Sequence, residues 1–291
     1  MTQAAGPLAK LRIALGEPVV YSALVGEAEL SLANAVGLGL EIRFLGRISC
    51  CYCGADSPRS YGGGYCYRCF KALARCDVCV VSPDRCHYAA GTCREPEWGE
   101  AFCMRPHVVY LANSSGAKVG ITGAGNELRR WLDQGARQGL IVLAAATRHK
   151  AGLVEAQLAQ LVADRTDWRL LLSRDAEAID LPMLRDALRR DLAARLLAKG
   201  VELPDGVIWQ NHRPHEFRYP VQRYGHRLAA LRLDERDVIR GNLLGIKGQY
   251  LLFDHGVFNV RQHTSYHVRL TLMSEPLDPG AGDDHQMELF S

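Results

Sequence analysis

The sequence predicts an α+β protein: a small cysteine-rich module and an α/β core, flanked by strand-rich regions at both ends. Three observations predict it. Cysteine is confined to Cys50–Cys103 of a 291-residue chain, a composition shift that marks a module. On either side, Pro18–Arg47 and Gly206–Met273 show the apolar and polar alternation of strands. Between them, strand-like runs mix with helical stripes, the clearest being Leu184, Leu188, Leu192 and Leu196.

The elements follow in order. In 1–48, Val19–Leu24, Ala28–Leu32 and Leu40–Leu45 read as strands. Residues 49–106 hold the cysteines. In 107–178, His107–Ala112 and Ala117–Thr122 read as strands joined by the turn Asn113–Gly116. Glu127–Gln134 reads as a helix, Gly139–Ala146 as a buried strand and Ala151–Arg165 as a second helix. In 179–204, a helix over Pro182–Lys199 has Asp180 to cap its start and Gly200 to end it. In 205–273, Tyr250–Phe253, Val257–Val260 and Tyr266–Leu272 are the clearest strands. The tail, 274–291, is rich in Pro, Gly and Asp and is expected to be disordered. The two strand-rich ends are expected to pair into one domain, with the other modules inserted into it.

A hydrophobic share of 48% and a charged share of 23% are those of an ordinary globular protein. The longest apolar runs fall short of the ~18 residues a membrane helix needs. Met1–Lys10 lacks a signal-peptide pattern, so a soluble cytoplasmic protein is expected, with no membrane partner. Thiols there stay reduced, which makes ten cysteines metal ligands before disulfides. A net charge of +3 leaves nucleic-acid binding to a local basic face.

Cys50-x2-Cys53-Gly54 and Cys66-x2-Cys69 are two knuckles with twelve residues between them. Two residues between thiolates let both reach one tetrahedral ion, so Cys50, Cys53, Cys66 and Cys69 are expected to bind a structural zinc. Tyr61-Gly62-Gly63-Gly64 eases the return of the loop, and Cys51 is the spare. A second cluster, Cys76, Cys79, Cys86, His87, Cys93 and Cys103, offers more ligands than one ion needs. A second structural zinc on four of them is expected. A redox pair at Cys76 and Cys79 is the rival, without a thioredoxin-like pattern around it.

Val108-Val109-Tyr110, then Lys118-Val119-Gly120-Ile121-Thr122, then Arg129-Arg130-Trp131 resembles the core of the GIY-YIG nuclease superfamily. The order of a cysteine-rich module followed by this core also resembles a bacterial family of such proteins. The resemblance covers Tyr110–Asp164. It implies two antiparallel strands carrying the motifs, a helix carrying a catalytic arginine and a later helix carrying a metal-binding glutamate. Residue by residue, Tyr110 matches the tyrosine of the first motif and Gly120 the closing glycine of the second. Arg130 matches the helix arginine, with Arg129 as the alternative, and Glu155 matches the glutamate. On its helix Glu155 lies at the edge of the stripe Ala151, Leu158 and Val162, where a carboxylate needs a partner. Mg2+ or Mn2+ would be one, and a salt bridge to Arg or Lys is the plain alternative. Lys118 departs from the usual tyrosine of the second motif, although some members carry lysine there. Its amine is a base only where burial lowers its pKa; otherwise it holds phosphate as a point charge. The resemblance implies metal-assisted phosphodiester hydrolysis.

The chain ends Gln286-Met287-Glu288-Leu289-Phe290-Ser291. This resembles the pentapeptide by which bacterial repair and replication proteins dock on the DNA sliding clamp. Gln286 would make directed hydrogen bonds, and Met287, Leu289 and Phe290 would fill apolar space on that partner. Arg213, Arg218, Arg223, Arg227 and Arg232 lie among Phe217, Tyr219 and Tyr224, a mixture suited to phosphates and bases or to a plain solvated surface. Two functions compete: a clamp-recruited endonuclease, and a non-catalytic nucleic-acid-binding or adaptor protein, for DNA or RNA, on the same fold.

Overall fold

A computed structural model describes residues 1–162, 167–225 and 228–278. The N-terminal strands are β1 (Thr2–Pro7), β2 (Arg12–Ala14), β3 (Val20–Val25), β4 (Ala28–Ser31) and β5 (Gly39–Ile48). The cysteine-rich segment carries short helices α1 (Tyr67–Ala72), α2 (Val78–Val81) and α3 (Pro96–Cys103). Next come β6 (His107–Asn113), β7 (Ala117–Gly123), α4 (Glu127–Asp133), β8 (Gln138–Ala145) and α5 (Arg148–Leu158). Helices α6 (Trp168–Ser173) and α7 (Leu181–Lys199) lead to β9 (Val207–Trp209), β10 (His215–Glu216) and β11 (Ala230–Leu231). The last strands are β12 (Val238–Lys247), β13 (Tyr250–Phe253), β14 (Gly256–Asn259) and β15 (Tyr266–Leu272). The mixture of helices and strands is α+β, and no helix among the described residues is long and apolar enough to cross a membrane.

A seven-stranded sheet runs β1-β15-β5-β12-β13-β14-β11. It joins the two ends of the chain: Thr2 pairs with Leu272, and Leu40 pairs with both Leu272 and Gly241. β1 was not apparent from the sequence because Gly6 and Pro7 interrupt its pattern. It lies at an edge of the sheet, where a proline's missing N–H is tolerated. A small sheet, β2-β3-β4, packs beside it and shares its core, with Tyr21, Val25, Leu40, Ile42, Phe258 and Val268 buried together.

The inserted segment 107–216 builds the other sheet, β10-β8-β6-β7 with β9 also on β8. Successive residues of β6 alternate between two cores. Tyr110 and Ala112 face Trp131 of α4 and the core of the large sheet. Val109 and Leu111 face α5 and α7 through Ala151, Val154, Leu158, Leu188 and Leu192. The sheet is thus covered on both faces, which is why β6 is buried throughout and reads as a continuous apolar run.

Helix α7 runs one residue longer than expected at its start, with Asp180 Oδ1 accepting the Met183 N–H at 2.9 Å and Gly200 closing it at φ 63°. Helix α5 differs more from the expected Ala151–Arg165. The Thr147 hydroxyl accepts the Lys150 N–H at 3.3 Å and starts the helix at Arg148, and it ends at Leu158.

Candidate functional site

The first cysteine group forms where β5 runs out. The Gly54 N–H donates to Cys50 O at 2.9 Å and the Cys50 N–H to Ala55 O at 2.8 Å, folding the knuckle. The return loop has positive φ at Gly62, Gly63 and Gly64, conformations that cost glycine little. Cys66 and Cys69 then stand at the start of α1. The ligand atoms of Cys50, Cys53, Cys66 and Cys69 all lie within 4.8 Å of one another. The Cys53 and Cys66 sulfurs are 3.8 Å apart. A tetrahedron with ~2.3 Å zinc–sulfur bonds has edges of about this length. Burial opposes charge on Cys50, but N–H groups of Cys53, Cys66 and Tyr52 donate to its sulfur and bring its pKa down to about 6. The group is sewn to the large sheet: the Cys51 N–H and the Ser265 hydroxyl both donate to Gly64 O, at 2.8 Å each.

The later cysteines do not all gather. Cys79, Cys86, Cys93 and Cys103 line one small cavity with Asp77, His87 and Trp98, whose free space of about 10 Å3 is room for one ion. Cys76 is the exception: its neighbouring charges are Cys51, Arg75, Arg94 and Cys50, and it does not line the cavity. Asp77, Cys79 and His87 have ligand atoms within 4.8 Å of one another. Both acceptor groups of that trio are already engaged, however. Asp77 caps the Val78 N–H at 2.6 Å and pairs with Arg94 at 2.7 Å. His87 Nδ1 meets Thr92 Oγ1 at 2.8 Å, and its Nε2 lies 3.4 Å from Asp77. The four thiols share this cavity, but unlike the first group their sulfurs are not gathered within 4.8 Å of one another, so the expected second four-ligand site is not assembled among the described residues. Burial pushes the Cys103 thiol up to about 11, as the charges of Cys86, Cys79 and Cys93 also do, against the pull of Arg148.

Tyr110, Gly120 and Arg130 meet. Tyr110 pairs with Gly120 across β6 and β7, so both point to one face. A Cβ at position 120 would stand 2.6 Å from the Tyr110 hydroxyl, so only glycine leaves room for it. Arg130 Nε donates to that hydroxyl at 3.2 Å and Gln134 Nε2 at 2.9 Å. Gln134 was not singled out from the sequence. The signal was its position four residues after Arg130, on the same helical face. Tyr110 is fully buried while Arg130 is half-exposed, so the tyrosine orients the arginine and does not itself meet solvent. Lys118 pairs with Ala112 and therefore shares Tyr110's face, where it is buried.

Glu155 comes from the other side. It is half-buried on α5, which packs over β6 and the outer strand β7. Arg148 connects the parts. Burial lowers its pKa most, and it feels the charges of Cys103, Glu155, Cys79 and Arg130. Its Nη2 donates to Val80 O at 2.5 Å, tying α5 to the second cysteine group. Among the described residues Glu155 belongs to no group of three or more metal-ligating side chains. Arg213, Arg218, Arg223 and Arg232 are exposed, and Phe217 is buried against Trp131. Arg227, Gln286, Met287, Leu289 and Phe290 lie outside the described residues.

Fold and site together define an α+β protein with a four-cysteine centre able to hold a metal ion. The chain belongs to the family described as Protein of unknown function (DUF2797), whose model matches residues 37–268 and so spans both cysteine groups and the five-stranded sheet, with β1 to β4 before it. No curated protein and no solved structure matches it.

Proposed function

We propose that the chain is a zinc-containing, DNA-associated protein with a GIY-YIG-like core, acting as a metal-dependent endonuclease that the sliding clamp recruits through Gln286, Met287, Leu289 and Phe290. The observation that carries this reading is the convergence of Arg130 and Gln134 on the Tyr110 hydroxyl across Gly120. Three separate elements supply these groups, as the resemblance implies. Zinc in the Cys50, Cys53, Cys66 and Cys69 centre is structural. A second ion would sit in the cavity lined by Cys79, Cys86, Cys93 and Cys103, whose thiols would have to close on it. Arg130, held by Tyr110, presents its guanidinium to a scissile phosphate and stabilises the charge that develops there. Glu155 would hold Mg2+ or Mn2+, which neutralises phosphate charge when bound. Lys118, buried on Tyr110's face of the sheet, would supply a positive charge to that side of the site.

The burial of Tyr110 and Lys118 favours a second reading, a non-catalytic nucleic-acid-binding or adaptor protein on the same fold. One experiment separates them. Pure protein is incubated with branched, nicked and single-stranded DNA plus Mg2+ or Mn2+, beside Glu155→Ala. The endonuclease reading expects cleavage that falls about a hundredfold or more in the variant. No cleavage by the wild type, or equal cleavage by both, refutes it.

A further inference from the structure

Gln249, at the tip of the β12–β13 hairpin, is buried and ties three distant segments together. Its side-chain oxygen accepts the Leu11 N–H at 2.8 Å, and its amide donates to Leu11 O at 3.0 Å and to Asp133 Oδ1 at 2.9 Å. Its main-chain oxygen accepts the Val260 N–H at 3.0 Å. Each tied residue has a cation beside it in sequence: Lys10 before Leu11, Arg261 after Val260, and Arg129 and Arg130 one turn before Asp133. The hub therefore brings together the segments that carry four cations, from parts of the chain some 250 residues apart, and Lys10 feels the charges of the other three. Arg129 and Arg261 are exposed, Lys10 and Arg130 half-exposed. Among the described residues none of the four has a carboxylate at ion-pair distance. Their mutual repulsion is felt: Lys10 is lowered from its ordinary value by burial first, then by Arg261, Arg130 and Arg129, with Asp133 alone opposing. A protein that holds like charges together at such a cost has a use for an anion there.

We propose that Lys10, Arg129, Arg130 and Arg261, gathered by Gln249, form the surface that seats the phosphodiester backbone of DNA beside the Tyr110–Arg130 pair. The proposal rests on the DNA reading of that pair and adds to it a surface from outside the GIY-YIG-like segment. Arg130 belongs to both, so a strand tracked by Lys10 and Arg261 is delivered to the arginine that meets its phosphate. Successive cations along such a track neutralise successive phosphates and release counterions.

The test uses Lys10→Ala/Arg261→Ala, neither residue being part of the candidate catalytic group, and Arg190→Ala/Arg236→Ala as an exposed pair elsewhere. Binding of a labelled DNA duplex is read by fluorescence anisotropy in EDTA, between 50 and 200 mM salt. The first pair should weaken binding roughly tenfold or more at low salt and shrink the slope of log K against log salt by about two. The second pair should bind like wild type, and all three proteins should melt together. Equal affinity and slope in the first pair overturn the proposal while leaving the DNA reading intact. A wild type that binds no DNA, or binds RNA duplex more tightly, overturns it as well. Binding through the patch without cleavage in Mg2+ leaves it standing and sinks only the endonuclease.

Discussion

At the scale of single residues, the candidate site depends on what position 120 lacks. The space that a side chain would fill is taken by the Tyr110 hydroxyl, which holds Arg130 and Gln134. Gly120→Ala is expected to push the phenol aside and break both bonds in a buried setting. Leaving such donors unsatisfied costs about 1–3 kcal/mol each, and overpacking a filled core costs a similar amount. A loss of about 2 kcal/mol or more in chemical unfolding, with weaker activity or DNA binding, is the expected outcome; a variant as stable as wild type would show that Tyr110 has somewhere else to go. Tyr110, Gly120 and Arg130 were legible because a strand pair and the helix after it keep their order along the chain. Lys10, Arg261 and Gln249 were not. Their meeting depends on how the hairpin tip lands on α4, and no local pattern encodes a contact between residues 238 apart.

At the scale of elements, α5 shows local preference losing to packing. A glycine inside a helix, as at Gly152, is normally unfavourable by ~1 kcal/mol relative to alanine. Here the turn at Pro83 and Asp84 lies so close that a Cβ on residue 152 would be 2.5 Å from Pro83 Cβ and 2.7 Å from the Asp84 backbone nitrogen. Backbone cannot rotate away as a flexible side chain can. Gly152→Ala is therefore expected to lower stability by about 1–3 kcal/mol, where helix propensity alone predicts a gain of ~1. A raised Tm in thermal melts would refute this close approach. The same contact explains a boundary that sequence periodicity missed. The start of α5 is set by the Thr147 hydroxyl and by Arg148 reaching Val80 O, and neither contributes to an apolar stripe. The strands Tyr250–Phe253 and Tyr266–Leu272 were legible end to end: the first is a short continuous apolar run buried at Leu251, Leu252 and Phe253, and the second alternates apolar with polar residues, with no glycine or proline in either.

At the scale of the whole molecule, the two cysteine groups brace different sheets. The first is fastened to the edge of the seven-stranded sheet through Ser265, whose N–H also donates to Leu8 O at 2.8 Å. The second is pressed against α5, the helix that covers the five-stranded sheet and carries Glu155. Thiolates brought together without an ion between them repel one another, so metal bound by either group would add its binding free energy to folding. The two groups should therefore fail separately. Purified protein is expected to carry two zinc ions per chain by elemental analysis, with one remaining in Cys66→Ser/Cys69→Ser, one in Cys93→Ser/Cys103→Ser and two in Cys76→Ser. Amide exchange gives the spatial half of the prediction. Loss of the first ion should speed exchange around the Gly64–Ser265 contact and leave Arg148–Leu158 protected, because α5 is held by Pro83, Val80 and the Leu158 core. Loss of the second should speed exchange in Arg148–Leu158 and leave β15 paired with β1 and β5. If either double variant loosens both regions equally, the two ions stabilise one cooperative unit, and the separation of the sheets by their metal braces is wrong.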